Sequence, residues 1–145
     1  GLAAQLAYQK FEQKKAHLNE LRRYFLEGVH KLEDVSINGW DDTADGEECI
    51  DKRAPHIVSV SFIGVRSEVL LNALSDRGIY VSSGSACSSN HPALSSTLQA
   101  IGLDKKLIEG TLRFSFCENT TKEELDQALK ALQELLPMLR RYTRR

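Results

Sequence analysis

The segment SSGSACSSN at residues 82–90 holds one cysteine, Cys87, among serine, glycine, alanine and asparagine residues. These side chains are too small to build a core, and Gly/Ser segments favour exposed loops. A structural cysteine usually lies among apolar neighbours, whereas an exposed loop thiol can act as a nucleophile that travels. The spacing alone leaves a functional thiol and an incidental thiol equally open.

Arg113 is the second residue that could do chemistry, because it lies in the middle of TLRFSF, residues 111–116. In a strand it would lie on the face opposite Phe114 and Phe116. If that face is buried, the guanidinium needs an anionic partner, and no acidic residue alternates with it on the same strand. A ligand carboxylate would serve through a bidentate pair. The alternative is a surface arginine, or one paired with an acidic residue elsewhere.

Weaker signals surround Cys87. His91 follows it by four residues, so a Cys–His pair is conceivable, although a loop holds such geometry poorly. The SSGS stretch at 82–85 could form a backbone nest for an anion, but turns rich in Ser and Gly are common. The other three histidines are interpreted as structural or solvated side chains: His17, His30 and His56.

The chain has three cysteines, an odd number without short spacing: Cys49, Cys87 and Cys117. This pattern argues against a disulfide framework and for a reducing compartment, so we expect a cytoplasmic protein. No C-x-x-C and no tight Cys/His cluster occurs in the sequence, which argues against a structural zinc site. Cys49 lies in an acidic segment, residues 41–53, that lacks the spacing of a calcium loop. Cys117 is expected to be a semi-buried structural thiol.

The composition is that of one globular domain over residues 1–145, with 41% hydrophobic and 27% charged residues. The net charge of −1 gives no general attraction to nucleic acid or to an anionic membrane. No apolar run approaches the roughly 20 residues that span a bilayer. Charges are scattered over residues 1–25, so no signal peptide is visible.

Long helices are predicted at both ends of the chain. Apolar residues at helical spacing predict one amphipathic helix from residue 1 to about residue 32. Thr121 and Glu124 have the spacing of a capping box, and a leucine stripe follows them into a final helix. Pro137 lies inside that stripe and is expected to kink or weaken its last turns.

The middle of the chain alternates between strand and helix patterns. Strands are predicted at 35–39, 56–62, 79–83 and 111–116. Ser67 is predicted to cap a helix that runs to about Arg77, Pro92 to open a helix that Gly102 closes, and residues 104–109 to form a short turn or helix. The alternation of helices and strands is imperfect, and some strands are neighbours in the way that the strands of a hairpin are. It favours an α/β sandwich in which three or four mostly antiparallel strands carry helices packed on one side.

Five segments, taken in order, resemble one protein family: APHIVSVSF, GIYVSSGSACSS, AIGL, TLRFSF and TTKEELD. Together they look like the C-terminal part of cysteine desulfurases of the NifS/IscS type, which are pyridoxal-phosphate enzymes of the aminotransferase class V fold. The resemblance covers almost the whole chain, and SSGSAC is its most specific element. It implies that residues 1–145 are the C-terminal small domain of a fold-type I pyridoxal-phosphate enzyme.

The resemblance also implies a chemistry for both singled-out residues. In the family, L-cysteine condenses with the cofactor, and the loop cysteine that matches Cys87 attacks the substrate sulfur. The products are L-alanine and a persulfide, whose sulfur passes to an acceptor such as an iron–sulfur scaffold protein. The family arginine that holds the substrate carboxylate matches Arg113. The family's enzymes are homodimers.

One departure from the family concerns the cofactor. The lysine that carries pyridoxal phosphate lies in an SxHK-type segment of a large domain, and no such segment occurs in this sequence. The lysines of this chain fall instead on amphipathic helices or polar loops. The resemblance therefore implies a small domain without its large domain. We expect the chain alone to hold no pyridoxal phosphate and to turn over no cysteine.

Two other interpretations remain open at this point. The chain could be a stand-alone sulfur carrier or protein-binding module that uses Cys87 as a persulfide relay without pyridoxal-phosphate chemistry. It could also be a structural interaction domain in which Cys87 is incidental.

Overall fold

The computed structural model of the chain describes residues 1–41, 52–83 and 95–143. It contains six helices and four strands over these residues. The helices are α1 (Leu2–Tyr8), α2 (Phe11–Val29), α3 (Ser67–Ser75), α4 (Ser96–Ala100), α5 (Lys105–Glu109) and α6 (Lys122–Thr143). The strands are β1 (Val35–Asn38), β2 (Ile57–Phe62), β3 (Ser82–Ser83) and β4 (Thr111–Ser115).

The four strands form one antiparallel sheet in the order β1-β2-β4-β3. One row of register partners crosses the whole sheet: Asn38 is opposite Ser59, Ser59 is opposite Arg113, and Arg113 is opposite Ser82. Because side chains alternate between the faces of a strand, this polar row and the apolar residues beside it lie on opposite faces. The predicted small antiparallel sheet of three or four strands is confirmed.

The core lies between one face of the sheet and the three longest helices, α2, α3 and α6. Phe25 of α2 packs on Phe114 of β4, with ring centroids 4.8 Å apart, and Leu132 of α6 is fully buried in the same cluster. Such burial removes apolar surface from water, which is the main force that holds the helices on the sheet. The predicted packing of helices on one side is confirmed for these three.

The prediction of one continuous N-terminal helix is wrong. The chain forms α1 and α2 instead, and Gln9 and Lys10 break the helix between them. Gln9 is extended and Lys10 has a φ of 59°, in the left-handed region that a lysine rarely adopts. The sequence carries no local signal for this break, because neither residue is a glycine or a proline, which are the usual helix breakers.

Two further boundaries differ from the prediction, those of α3 and of the third strand. Ser67 is the first residue of α3 rather than its cap, and the N-cap residue Arg66 makes no side-chain capping bond. The third strand is confined to Ser82–Ser83 rather than 79–83. Within the described residues, α4 lies in the segment of the helix predicted from Pro92 to Gly102, and the Ser95 hydroxyl accepts a bond from the backbone N–H of Leu98 at 3.4 Å. Pro92 itself lies outside the described residues.

The capping box before α6 is confirmed. The Thr121 N–H donates to Glu124 Oε2 at 2.9 Å, and the Glu124 N–H donates to Thr121 Oγ1 at 3.3 Å. The expected weakness beyond Pro137 is not visible, because α6 continues to Thr143. Its last turns are tied down by Arg140, whose guanidinium donates to three backbone carbonyls at 2.8 to 3.0 Å, those of Ile63, Glu33 and Asp34.

Candidate active site

The candidate site is the face of the sheet that points away from α2, α3 and α6. We call it the polar face, and within the described residues it carries Ile57 and eight polar residues: Ser36, Asn38, Ser59, Ser61, Ser82, Thr111, Arg113 and Ser115. Arg113 is exposed in the middle strand of this face. Within the described parts of the chain, its guanidinium has no hydrogen bond or ion pair. An anionic ligand could therefore approach it without displacing any of the described residues.

A hydrogen-bonded network beside Arg113 holds three strands and α5 together. Asn38 Nδ2 donates to Ser61 Oγ at 2.9 Å, and the hydroxyls of Ser61 and Thr111 are 2.7 Å apart. Thr111 Oγ1 donates onward to the carbonyl of Leu107 at 2.7 Å. Ser61 and Thr111 are buried, so these bonds satisfy polar groups that have left water. The network thereby fixes the strand that carries Arg113.

The segment that contains Cys87 begins at the edge of this face. Ser82 and Ser83 pair with Arg113 and Leu112, and the chain then enters residues 84–94, which include Cys87 and His91 and lie outside the described residues. The expectations for both residues, and for Cys49, therefore fall on undescribed parts of the chain. The structure brings the start of the cysteine segment next to Arg113.

Cys117 differs from its prediction, because it is an exposed free thiol rather than a semi-buried one. Phe116 takes the last core position of the β4 region, and the chain then turns toward α6. Thr120 Oγ1 donates to Cys117 Sγ at 3.6 Å and accepts from the Cys117 N–H at 3.0 Å. The Thr120 hydroxyl, helped by the backbone N–H of Asn119, lowers the pKa of the thiol. The sequence signal for this hydrogen bond was the T-T-K-E segment that begins three residues after the cysteine.

Two of the described histidines, His30 and His56, make structural contacts. His30 Nε2 is 2.8 Å from Asp41 Oδ2, beyond the end of α2. His56 is exposed, and its carbonyl accepts from the Phe116 N–H at 2.8 Å. Among the described residues, no three His, Cys, Asp or Glu side chains are grouped so that they could hold a metal ion.

Covalent attachment of pyridoxal phosphate does not fit the residues of the polar face, which include no lysine. All the lysines lie in described regions, and every one belongs to a helix, a cap or a connecting segment rather than to a strand. Lys122, for example, is held 2.6 Å from Glu20 on the outside of α6. The polar face thus offers a guanidinium for an anion but no lysine for a covalent aldehyde cofactor. Among residues 1–41, 52–83 and 95–143, every helix is too short or too polar to span a bilayer.

The sequence and the fold of the chain are similar to those of known proteins. The chain is 38% identical over 140 residues to the cysteine desulfurase IscS of Vibrio cholerae, a match that covers 97% of this chain and 32% of that protein. The structure resembles that of a NifS-like protein with a TM-score of 0.71 and 29% identity, over 92% of this chain and 31% of that one. It also resembles the apo cysteine desulfurase of Thermococcus onnurineus, with a TM-score of 0.65 and 26% identity, over 88% and 27% of the two chains.

The resemblance to cysteine desulfurases of the NifS/IscS type is therefore confirmed. The chain spans about a third of the length of the curated relatives that it matches. The family model for class-V aminotransferases matches residues 1–128. These residues include β4 with Arg113 and most of the core. The chain belongs to the aminotransferase class-V family.

Proposed function

We propose that the chain is the C-terminal small domain of a pyridoxal-phosphate-dependent cysteine desulfurase. The enzyme would convert L-cysteine to L-alanine and leave the sulfur as a persulfide on Cys87. The observation that supports this most is the register of β3 with β4, in which Ser82 at the start of the cysteine segment is opposite the exposed Arg113. Similarity to the Vibrio cholerae cysteine desulfurase over 97% of the chain supports the same reaction.

Arg113 is proposed to hold the substrate carboxylate. A guanidinium presents a planar fork of donors that matches the two oxygens of a carboxylate. Arg113 has no competing partner among the described residues, and the strand under it is fixed by the hydrogen bonds of Thr111. A substrate held in this way keeps its carboxylate fixed while its side chain remains free to react.

Cys87 is proposed to be the nucleophile that accepts sulfur. It is the fourth residue after Ser83, so their Cα atoms can be no more than about 14 Å apart. In the reaction the Cys87 thiolate bonds to the substrate sulfur, and the carbon–sulfur bond breaks. The electron pair of that bond stays with carbon, which takes up a proton to give alanine. The small residues around Cys87 would let the persulfide move on to an acceptor.

Pyridoxal phosphate is proposed to bind a large domain outside this chain, because the polar face has no lysine. The isolated chain is accordingly proposed to be inactive. In the whole protein, a homodimer would pass sulfur to an acceptor protein, such as a scaffold on which iron–sulfur clusters are assembled.

The test uses the full-length protein that contains this chain, with and without Cys87→Ser. Cysteine is supplied, alanine is measured, and the persulfide is mapped by mass spectrometry. We expect Cys87→Ser to abolish turnover and persulfide, and the matched variant Cys117→Ser to keep both. Unchanged alanine production by Cys87→Ser would refute the assignment. A persulfide on Cys87 without alanine production would favour a sulfur carrier that receives sulfur from another protein.

A further inference from the structure

Tyr80, two residues before β3, is 83% exposed, which is the highest value among the large hydrophobic side chains of the described residues. Its two neighbours in the chain, Ile79 and Val81, pack against the core. This alternation is typical of an extended segment, in which every second side chain points to the same face. Tyr80 therefore points to the same side as Ser82, which is the polar face that carries Arg113.

The backbone is held on both sides of Tyr80. Before it, the Ile79 N–H donates to the carbonyl of Leu74, a fully buried residue, at 3.0 Å. After it, Ser82 pairs with Arg113 in the sheet. Within the described parts of the chain, the Tyr80 side chain itself has no hydrogen bond and no ring contact. A fixed stretch of backbone thus presents an aromatic ring and a hydroxyl that none of the described residues uses.

Tyr80 and Arg113 are close enough to contact one small ligand. Ser82 is directly opposite Arg113, and a residue two positions along a strand lies about 7–8 Å from the same partner, within reach of an aromatic or a long side chain. The hydroxyls of Ser61 and Thr111 lie on the same face but are 2.7 Å apart and bond to each other. The Tyr80 phenol is an O–H donor that no described residue occupies.

We infer that the Tyr80 hydroxyl donates a second hydrogen bond to the substrate carboxylate that Arg113 holds. The inference rests on the proposed function and adds a residue to the same site. An ionised carboxylate has about four acceptor positions, and a bidentate guanidinium uses two of them, so a phenol donor has room on the same group. An aromatic ring beside the guanidinium also keeps water from the ion pair, which strengthens it. Tyr80 is then a residue that selects substrates with a carboxylate.

The binding of two thioethers to the full-length protein tests the inference. S-methyl-L-cysteine carries the carboxylate, whereas 2-(methylthio)ethylamine is the same molecule without it, and isothermal titration calorimetry gives the Kd of each. We expect Tyr80→Phe, which removes only the hydroxyl, to weaken the binding of S-methyl-L-cysteine about tenfold, the equivalent of one hydrogen bond to a charged group. The Kd of 2-(methylthio)ethylamine should stay unchanged. An unchanged Kd of S-methyl-L-cysteine in Tyr80→Phe would overturn the inference.

The matched control is Tyr142→Phe, at a tyrosine of α6 that is 80% exposed, and it should leave both Kd values unchanged. Equally weakened binding of both thioethers to Tyr80→Phe would overturn the inference, because Tyr80 would then act on a part of the ligand other than the carboxylate. Equal effects of the two tyrosine variants would also overturn it. Because Tyr80 is exposed, Tyr80→Phe should keep the midpoint of urea unfolding, and a lower midpoint would assign the hydroxyl to the fold instead.

The result is separable from the proposed reaction, because alanine production from L-cysteine is measured on the same protein. Weaker binding of S-methyl-L-cysteine to Tyr80→Phe, in a protein that makes no alanine, would refute the reaction and keep the carboxylate site. Alanine production that requires Cys87, together with unchanged binding by Tyr80→Phe, would keep the reaction and overturn the role of Tyr80.

Discussion

Ser82 lies directly opposite Arg113 in the antiparallel pairing of β3 with β4. Opposite residues of such a pair have Cβ atoms about 5 Å apart. The pairing joins two described strands through their backbone atoms. It ties the beginning of the cysteine segment to the strand that carries the exposed guanidinium, and this is why the two halves of the proposed reaction can meet.

The first prediction concerns Arg113→Lys in the full-length protein. Lysine keeps the charge but loses the planar fork, so we expect the KM for L-cysteine to rise about ten- to a hundredfold, the equivalent of one charged hydrogen bond. Because Arg113 is exposed and has no partner among the described residues, the free energy of unfolding should change by less than about 0.5 kcal/mol. Steady-state kinetics and urea unfolding measure the two quantities.

The matched control for Arg113 is Arg66→Lys. Arg66 is another exposed arginine, with its side chain 71% exposed beside Glu68, and it lies outside the polar face. It should change neither KM nor stability. An unchanged KM for Arg113→Lys, or the same KM increase in both variants, would show that Arg113 does not hold the substrate.

The second prediction concerns the network beside Arg113. Thr111→Val removes the hydroxyl that lies between Ser61 Oγ and the carbonyl of Leu107. Thr111 is buried, so this loss should lower the free energy of unfolding by about 1–3 kcal/mol. Thr111→Ser keeps the hydroxyl and should cost only about 0.8 kcal/mol for the lost methyl group. If urea unfolding shows that the valine variant is more stable than the serine variant, the hydrogen-bonded network is contradicted.

The third prediction compares the loss of stability when alanine replaces either of two glycines, Gly110 and Gly28, that have close neighbours. A Cβ at Gly110 would lie 2.4 Å from the carbonyl oxygen of Phe62 and 2.9 Å from that of Val65. Backbone atoms of the sheet cannot move aside easily, so Gly110→Ala should cost about 1–3 kcal/mol. A Cβ at Gly28 would meet only the end of the Leu129 side chain, at 2.2 Å. That side chain can rotate, and alanine favours the helix by about 1 kcal/mol.

Gly28→Ala should therefore be the milder substitution. Differential scanning calorimetry of both variants gives the comparison directly. Equal losses of stability would mean that the sheet near Gly110 yields as readily as a leucine side chain. That result would weaken the case that β4 is held rigidly.

Sequence patterns were sufficient where one physical rule dominated. The alternation of TLRFSF predicted β4, because strands expose every second residue, and Arg113 is indeed on the face opposite Phe114. The capping box predicted the start of α6, because Thr121 and Glu124 satisfy each other's N–H groups locally. Both cases depend on neighbours within a few residues.

The sequence patterns failed where contacts between distant parts of the chain determine the structure. The break at Lys10 follows no local signal, and Leu2 continues a helical pattern without joining the core. Cys117 continues the alternation of β4, yet pairing ends at Ser115 and the thiol is exposed. The alternation could place Arg113 on a face but could not say whether that face is covered, which depends on where the helices pack.

The last prediction concerns Cys117 and its pH dependence. The Thr120 hydroxyl donates to the Cys117 sulfur and is the main cause of a lowered pKa of this thiol. A lowered pKa keeps the reactive thiolate present at lower pH, so Thr120→Val should raise the pKa and move the alkylation rate of Cys117 toward higher pH. Thr120→Ser keeps the hydroxyl and should leave the curve in place. Alkylation with limiting iodoacetamide over a pH series, with the Cys117 peptide followed by mass spectrometry, measures the shift. Coincident curves for wild type and Thr120→Val would show that the hydroxyl does not control the thiol.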